Sequence, residues 1–225
     1  MYPTVTRRSA LRVTDNSRVV AVLRARDASA YSPVIESLVV GGVKLIELTL
    51  TTAGVVEHLP KLRRAFGQDA EIGVGTVVDP GSASAVLDSG AQFLVTPTVN
   101  LDVVATGVER GVPVVSGGLT PTELLAGWSA GAAAVKVFPA SSVGPGYIPQ
   151  LRGPFPQMEF LPSGGIGLDD APAWVAAGAT AVSIGSPLLR DAFDGGSLTQ
   201  LTERCRRVTA VVTEAYAARS SSGPR

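Results

Sequence analysis

One pattern constrains the fold of this chain more than any other. A short apolar run, a helix-like segment and a glycine joint recur along nearly its whole length. The runs are RVVAVLR (18–24), KLIELTL (44–50), EIGVGTV (71–77), AQFLVTP (91–97), VPVVSG (112–117), AAVKVFP (133–139), EFLPSGG (159–165) and TAVSIGS (180–186). Most carry apolar residues at consecutive positions, as strands do when both sheet faces are buried and pairing is parallel. Segments such as SAYSPVIESLVVGG, TAGVVEHLPKLRRAFG, DPGSASAVLDSG and LDDAPAWVAAG read as the intervening helices. Gly42, Gly90, Gly111, Gly131 and Gly178 stand where a helix ends and a strand begins, a place that suits a left-handed cap. The unit returns every ~20–25 residues, which leaves room for short loops only.

Strand–helix alternation means an α/β fold. A doubly wound sheet predicts a glycine-rich phosphate turn after its first strand, and RVVAVLRARDAS has none. A closed (β/α)8 TIM barrel predicts eight units and polar groups at the C-terminal ends of the strands. Arg24, Glu47, Thr49, Thr51, Thr76, Thr96, Ser116, Lys136, Ser163 and Ser186 all fall there, so the barrel is expected. No composition shift divides the 225 residues, which are read as one domain, 1–225. Residues 1–15 read as an N-terminal extension, and 219–225, with the Ser/Gly-rich end, as a flexible tail.

The charge balance narrows the partners. Nineteen basic and nineteen acidic side chains cancel, so no basic excess points to nucleic acid or an anionic membrane. The longest uncharged stretch near the C-terminus, Ala171 to Leu189, is interrupted by Pro172, Gly178, Gly185 and Pro187 and reads as helix, turn and strand, not as a membrane span. One cysteine, Cys205, excludes an intrachain disulfide and fits a reducing cytoplasm. One histidine, His58, excludes a His-cluster metal site, and no metal is expected.

Only three lysines occur, Lys44, Lys61 and Lys136, and only Lys136 lies inside an apolar run. Residues two apart in a strand share a face, so Ala134, Lys136 and Phe138 are expected to point together into the barrel. An ammonium there must pair with a carboxylate or give up its proton. A free amine attacks a carbonyl and forms a Schiff base. Glu47 shares a face with Leu45 and Thr49 and is the carboxylate expected beside it, either as a static ion pair or as the group that moves protons in imine chemistry.

SGGIGLDD (163–170) is expected to follow a strand and open a helix, and SIGSPLL (183–189) repeats the arrangement one unit later. Glycine N–H groups approach anions closely, and phosphate sites in such barrels are often built after the seventh and eighth strands. Arg24, at the end of the first strand, is a candidate carboxylate clamp.

Taken in order, LIELTLTT, GVGTV, FLVTP, TPTELLAGWSAGAAAVKVFPAS, GPGYIPQLRGPFP and LPSGGIGLDD resemble the 2-keto-3-deoxy-6-phosphogluconate (KDPG) / 4-hydroxy-2-oxoglutarate (KHG) aldolase family over residues 17–193. The resemblance implies a class I aldolase, usually a homotrimer, without metal or cofactor, that cleaves a small 2-keto acid to pyruvate and an aldehyde. It implies Lys136 as the Schiff-base lysine and Glu47 as the general acid/base. It implies Thr76, Pro97 and Phe138 in the pyruvate pocket, and Gly164, Gly165, Gly185 and Ser186 around phosphate. Ser163 stands where Thr is common. Some members have an Arg where Thr51 stands; this chain resembles instead those with an Arg in VLRA, so Arg24 is expected to take the anion-binding role, and Thr51 is still expected among the substrate-binding residues. Two other readings compete. A phosphosugar isomerase or epimerase on the same barrel would use the paired loops without an imine lysine. A non-catalytic assembly protein would be indifferent to loss of Lys136.

Overall fold

The computed structural model describes residues 18–221. The expected extension 1–15 and the end of the expected tail, 222–225, lie outside them. Eight parallel strands are present: β1 Val19–Leu23, β2 Leu45–Thr49, β3 Glu71–Gly75, β4 Leu94–Val95, β5 Val114–Gly118, β6 Ala134–Val137, β7 Phe160–Pro162 and β8 Val182–Ile184. Each neighbour in the order β7-β6-β5-β4-β3-β2-β1-β8 is hydrogen-bonded. A parallel bridge between Ser163 and Ser183 joins β7 to β8 and completes the ring. The helices outside are α1 Tyr31–Val40, α2 Val55–Phe66, α3 Pro80–Asp88, α4 Leu101–Glu109, α5 Pro121–Ser129, α6 Tyr147–Arg152, α7 Ala171–Ala176, α8 Ser186–Leu189 and α9 Leu198–Ser221. The fold is the (β/α)8 barrel.

Local chemistry explains the element ends. Asp79 caps α3 by accepting from the Ser82 N–H, and Asn100 caps α4 by accepting from Asp102 and Val103. Thr120 and Glu123 form a reciprocal capping box on α5. The five joint glycines all have positive φ, from 67° to 113°. β4 is shorter than the run 91–97 suggested. The Thr96 hydroxyl, not a carbonyl, accepts the Gly117 N–H at 2.9 Å, so the regular ladder stops at Val95.

Inward-pointing side chains stack in layers drawn from alternate strands. Leu45, Phe93, Ala134 and Ala181 from the even-numbered strands and their connections, with Val20, Val115 and Leu161 from the odd ones, close the bottom of the barrel. Phe93 fills space that β3 leaves: a Cβ on Gly73 would sit 2.3 Å from its ring. Truncating such a buried ring costs about 3–5 kcal/mol. Two residues further up, the even strands present Glu47, Val95, Lys136 and Ser183, and the odd strands present Val22, Gly75, Gly117 and Ser163. The two glycines supply no side chain, and the barrel opens there.

Residues 219–221 of the expected tail are helical. α9 runs to Ser221, and Arg219 donates to the Val175 and Ala179 carbonyls at 2.8 Å each, tying the last turn of the helix to α7 and its C-terminal glycine turn. α9 also packs closely on α1, where a Cβ on Gly41 would lie 2.3 Å from Cys205 Cβ. Burial pushes the Cys205 thiol up from 9.0 to about 12. A thiol held protonated by the fold stabilises it fully below pH 9, and this contribution disappears as pH rises from 9 towards 12. Iodoacetamide at pH 8 is therefore expected to leave the native chain unmodified and to alkylate it fully in denaturant. Equal labelling rates in both would contradict the buried thiol.

Candidate active site

A cavity of about 510 Å³ opens at the C-terminal ends of the strands. β6 carries Lys136 and β2 carries Glu47, four strands apart and therefore facing one another across the barrel. Lys136 Nζ lies 3.5 Å from Glu47 Oε1, with side-chain exposures of 8% and 1%. Gly75 makes the approach possible, because a Cβ there would stand 2.0 Å from Glu47 Oε1. The other carboxylate oxygen, Oε2, is buried with no hydrogen-bond partner. Lys136 Nζ is 5.5 Å from the centre of the Phe138 ring. The pair is thus close and buried, and both residues line the cavity.

Thr76, Pro97 and Phe138 line the same cavity. Thr76 has φ 62°, an uncommon conformation for a β-branched residue and one that marks a constrained site. Gly117 leaves room for Pro97, whose carbonyl carbon would lie 2.4 Å from a Cβ there. On the β7–β8 side the lining is Ser163, Gly164, Gly165, Gly185 and Ser186. Ala140 N–H donates to the Ser163 carbonyl and Ser141 N–H to that of Gly164, fixing the glycine turn against the loop that follows Lys136. Gly164 and Gly165 have φ of 90° and 74°. A Cβ on Gly165 would sit 2.6 Å from Ser141, so the turn needs glycine for its conformation and for its space.

Arg24 is exposed at the rim and lines the cavity. Its strand end is held by hydroxyls: Thr49 Oγ1 donates to the Leu23 carbonyl at 3.0 Å, and Thr52 Oγ1 accepts the Ala25 N–H at 3.0 Å. Tyr31 also donates to the Leu23 carbonyl at 3.3 Å, and burial pushes its hydroxyl above the usual tyrosine range.

Two expectations are corrected. Thr51 does not line the cavity. β2 ends at Thr49, the inward–outward alternation lapses beyond it, and the exposed Thr51 turns its hydroxyl to Thr49 Oγ1 at 3.1 Å. The SGGIG turn does not open directly into a helix either. α7 starts only at Ala171, so backbone at Gly164–Ile166, and not a helix end, faces the cavity. Sequence reasoning missed Ser183, Arg190, Phe193 and Asp194, which also line it. Ser183 was legible from the inward period Ala181, Ser183, Gly185. Arg190 reaches the cavity from a backbone with positive φ, 50°, which no pattern announces.

The family model for KDPG and KHG aldolase matches residues 11–203. The chain belongs to the KDPG and KHG aldolase family. It is 30% identical over 199 residues to 2-dehydro-3-deoxy-6-phosphogalactonate aldolase of Escherichia coli K12, covering 88% of this chain and 94% of that one. It is 31% identical over 207 residues to 2-dehydro-3-deoxy-phosphogluconate aldolase of Dickeya dadantii, covering 91% and 97%. Among solved structures, the Legionella pneumophila KDPG aldolase with pyruvate captured as a covalent carbinolamine superposes with a TM-score of 0.80, at 29% identity over 86% of this chain and 95% of that one. As a member of this family the chain is a class I aldolase, a carbon–carbon lyase that works through a Schiff base and releases pyruvate and an aldehyde.

Proposed function

We propose that the chain cleaves 2-keto-3-deoxy-6-phosphosugar acids, or the related 4-hydroxy-2-oxoglutarate, with Lys136 as nucleophile and Glu47 as the proton carrier. The observation that carries this reading is the 3.5 Å approach of Lys136 Nζ to Glu47 Oε1 inside a cavity whose far side is a glycine-rich turn. Lys136 passes its ammonium proton to Glu47 and, as the free amine, attacks C2 of the keto acid; a proton moves from the nitrogen to the C2 oxygen, which becomes the hydroxyl of a carbinolamine. Glu47 gives that hydroxyl a proton, water departs and an iminium remains. Glu47, now a carboxylate, takes the proton of the C4 hydroxyl. The C3–C4 bond breaks, its electron pair moves into the enamine, and C4 leaves as the aldehyde. C3 then takes that proton back from Glu47, and water hydrolyses the restored iminium to free pyruvate and Lys136.

Thr76, Pro97 and Phe138 enclose the pyruvate half in this reading. Gly164, Gly165, Gly185 and Ser186 hold the phosphate, with Ser163 on the path between the two ends and Arg24 at the rim as an anion clamp. The proposal includes a homotrimer in the cytoplasm, supported by the family resemblance and by the single reduced-type cysteine. Light scattering showing one or two chains per particle would remove the trimer.

A pyruvate-release assay on the gluconate- and galactonate-derived acids, each with and without phosphate, tests the substrate class. Turnover of at least one phosphorylated acid well above its free form is expected, and release from none would refute the assignment. Ser186→Asp is expected to raise KM for the phosphorylated acid on the order of tenfold more than for the free one, because like charges meet at the subsite. Equal effects on both would place the phosphate elsewhere.

A further inference from the structure

Two fully buried side-chain atoms of cavity-lining residues have no hydrogen-bond partner among the described residues, Glu47 Oε2 and Ser183 Oγ. Ser116 Oγ is also unpartnered, but it stands against Gly127 of α5, outside the barrel, and does not line the cavity. Buried polar atoms are almost always paired, and those left unpaired beside a cavity point to the polar atoms of what binds there. Ser183 is 1% exposed, so bulk water does not satisfy it.

Its position in the barrel says which atom it awaits. β8 sends Ala181, Ser183 and Gly185 inward, while Val182 and Ile184 pack in the outer core. Ser183 therefore belongs to the layer of Glu47 and Lys136, with Val95 as its fourth member. Lys136 and Glu47 face each other across this layer, Val95 makes one flank apolar, and Ser183 makes the opposite flank the polar one. A carbon attacked by Nζ would lie between these flanks. Its oxygen must lie within reach of the carboxylate that protonates it.

We infer that Ser183 is a further catalytic residue, whose hydroxyl hydrogen-bonds the oxygen on C2 of the keto acid and the water that oxygen becomes, holding it against Glu47 Oε2. The inference rests on the aldolase reading above. The step is dehydration of the carbinolamine: the C2–O bond breaks with its electron pair on oxygen, Glu47 supplies the proton, the nitrogen lone pair forms the C=N bond, and one water leaves. Ser183 donates to the departing oxygen and is itself unchanged. In the reverse direction the same hydroxyl places the water that attacks the iminium.

The parent enzyme is first incubated with pyruvate and borohydride; a reduced adduct on Lys136 is expected, and its absence would overturn the aldolase reading and this inference with it. Given the adduct, exchange of the C2 oxygen of pyruvate with isotopically labelled water reads carbinolamine dehydration directly. Ser183→Ala is expected to slow that exchange, and kcat for cleavage, on the order of 10²-fold, with KM changed far less. Ser183→Cys keeps the shape but weakens the donor, and is expected to resemble Ser183→Ala. Ser183→Ala is expected to melt at or above the parent temperature, since no internal hydrogen bond is lost. Parental exchange in Ser183→Ala, or in Ser183→Cys, would overturn the role of the hydroxyl, and a lowered melting temperature with unchanged exchange would assign the serine to packing instead.

Discussion

Lys136→Met is expected to abolish cleavage, with kcat/KM down by roughly 10⁴-fold or more, because the covalent step has no substitute amine in the layer. Lys44 and Lys61 lie on other parts of the chain and do not line the cavity. The variant also leaves Glu47 buried without its cation at 3.5 Å. Breaking a buried pair from one side costs about 3–5 kcal/mol when the remaining charge stays unpaired. A loss of activity could then be confused with a loss of fold, and the double variant Lys136→Met/Glu47→Gln separates the two. It removes both charges and is expected to recover most of the melting temperature while remaining inactive. Activity in either variant, measured by pyruvate release, would show that the reaction does not pass through this amine.

Glu47→Gln is the second large effect. The amide keeps the shape that Gly75 accommodates but no longer carries a transferable proton. Two steps in the cycle need that proton, departure of the C2 hydroxyl and deprotonation of the C4 hydroxyl. General acid–base catalysis contributes about 10²–10⁴-fold, and kcat is expected to fall within that range. Binding of pyruvate should weaken much less, because the anion-recognition groups lie in other loops. Stopped-flow turnover beside equilibrium pyruvate binding gives the comparison, and a Glu47→Gln enzyme that turns over at the parental rate would take Glu47 out of the proton path.

The parts of this molecule that were readable in the sequence are those set by period and by local backbone chemistry. The eight apolar runs became the eight strands, and the joint glycines took the left-handed cap because only glycine adopts it without cost. Lys136 and Glu47 were readable because charge inside an apolar strand is expensive and so stands out. Their apposition across the barrel follows from strand number: β2 and β6 are opposite in a ring of eight. Thr51 shows where this logic stops. Alternation holds only while the ladder holds, and one turn residue past Thr49 the side chain is free to face solvent. Arg190, Phe193 and Asp194 come from the segment between α8 and α9, whose path depends on tertiary packing. The late start of α7 was hidden for a similar reason: Gly167 N–H donates to Asp170 Oδ2 at 3.2 Å, and that local turn holds residues 167–170 out of the helix.

One measurement bears on the central claim most directly: intact-protein mass spectrometry of the parent enzyme and of Lys136→Met after incubation with pyruvate and borohydride, followed by peptide mapping. The account predicts one reduced pyruvate per chain on the parent, mapped to Lys136, and none on the variant. An unmodified parent, or an adduct of equal yield on the variant, would contradict it.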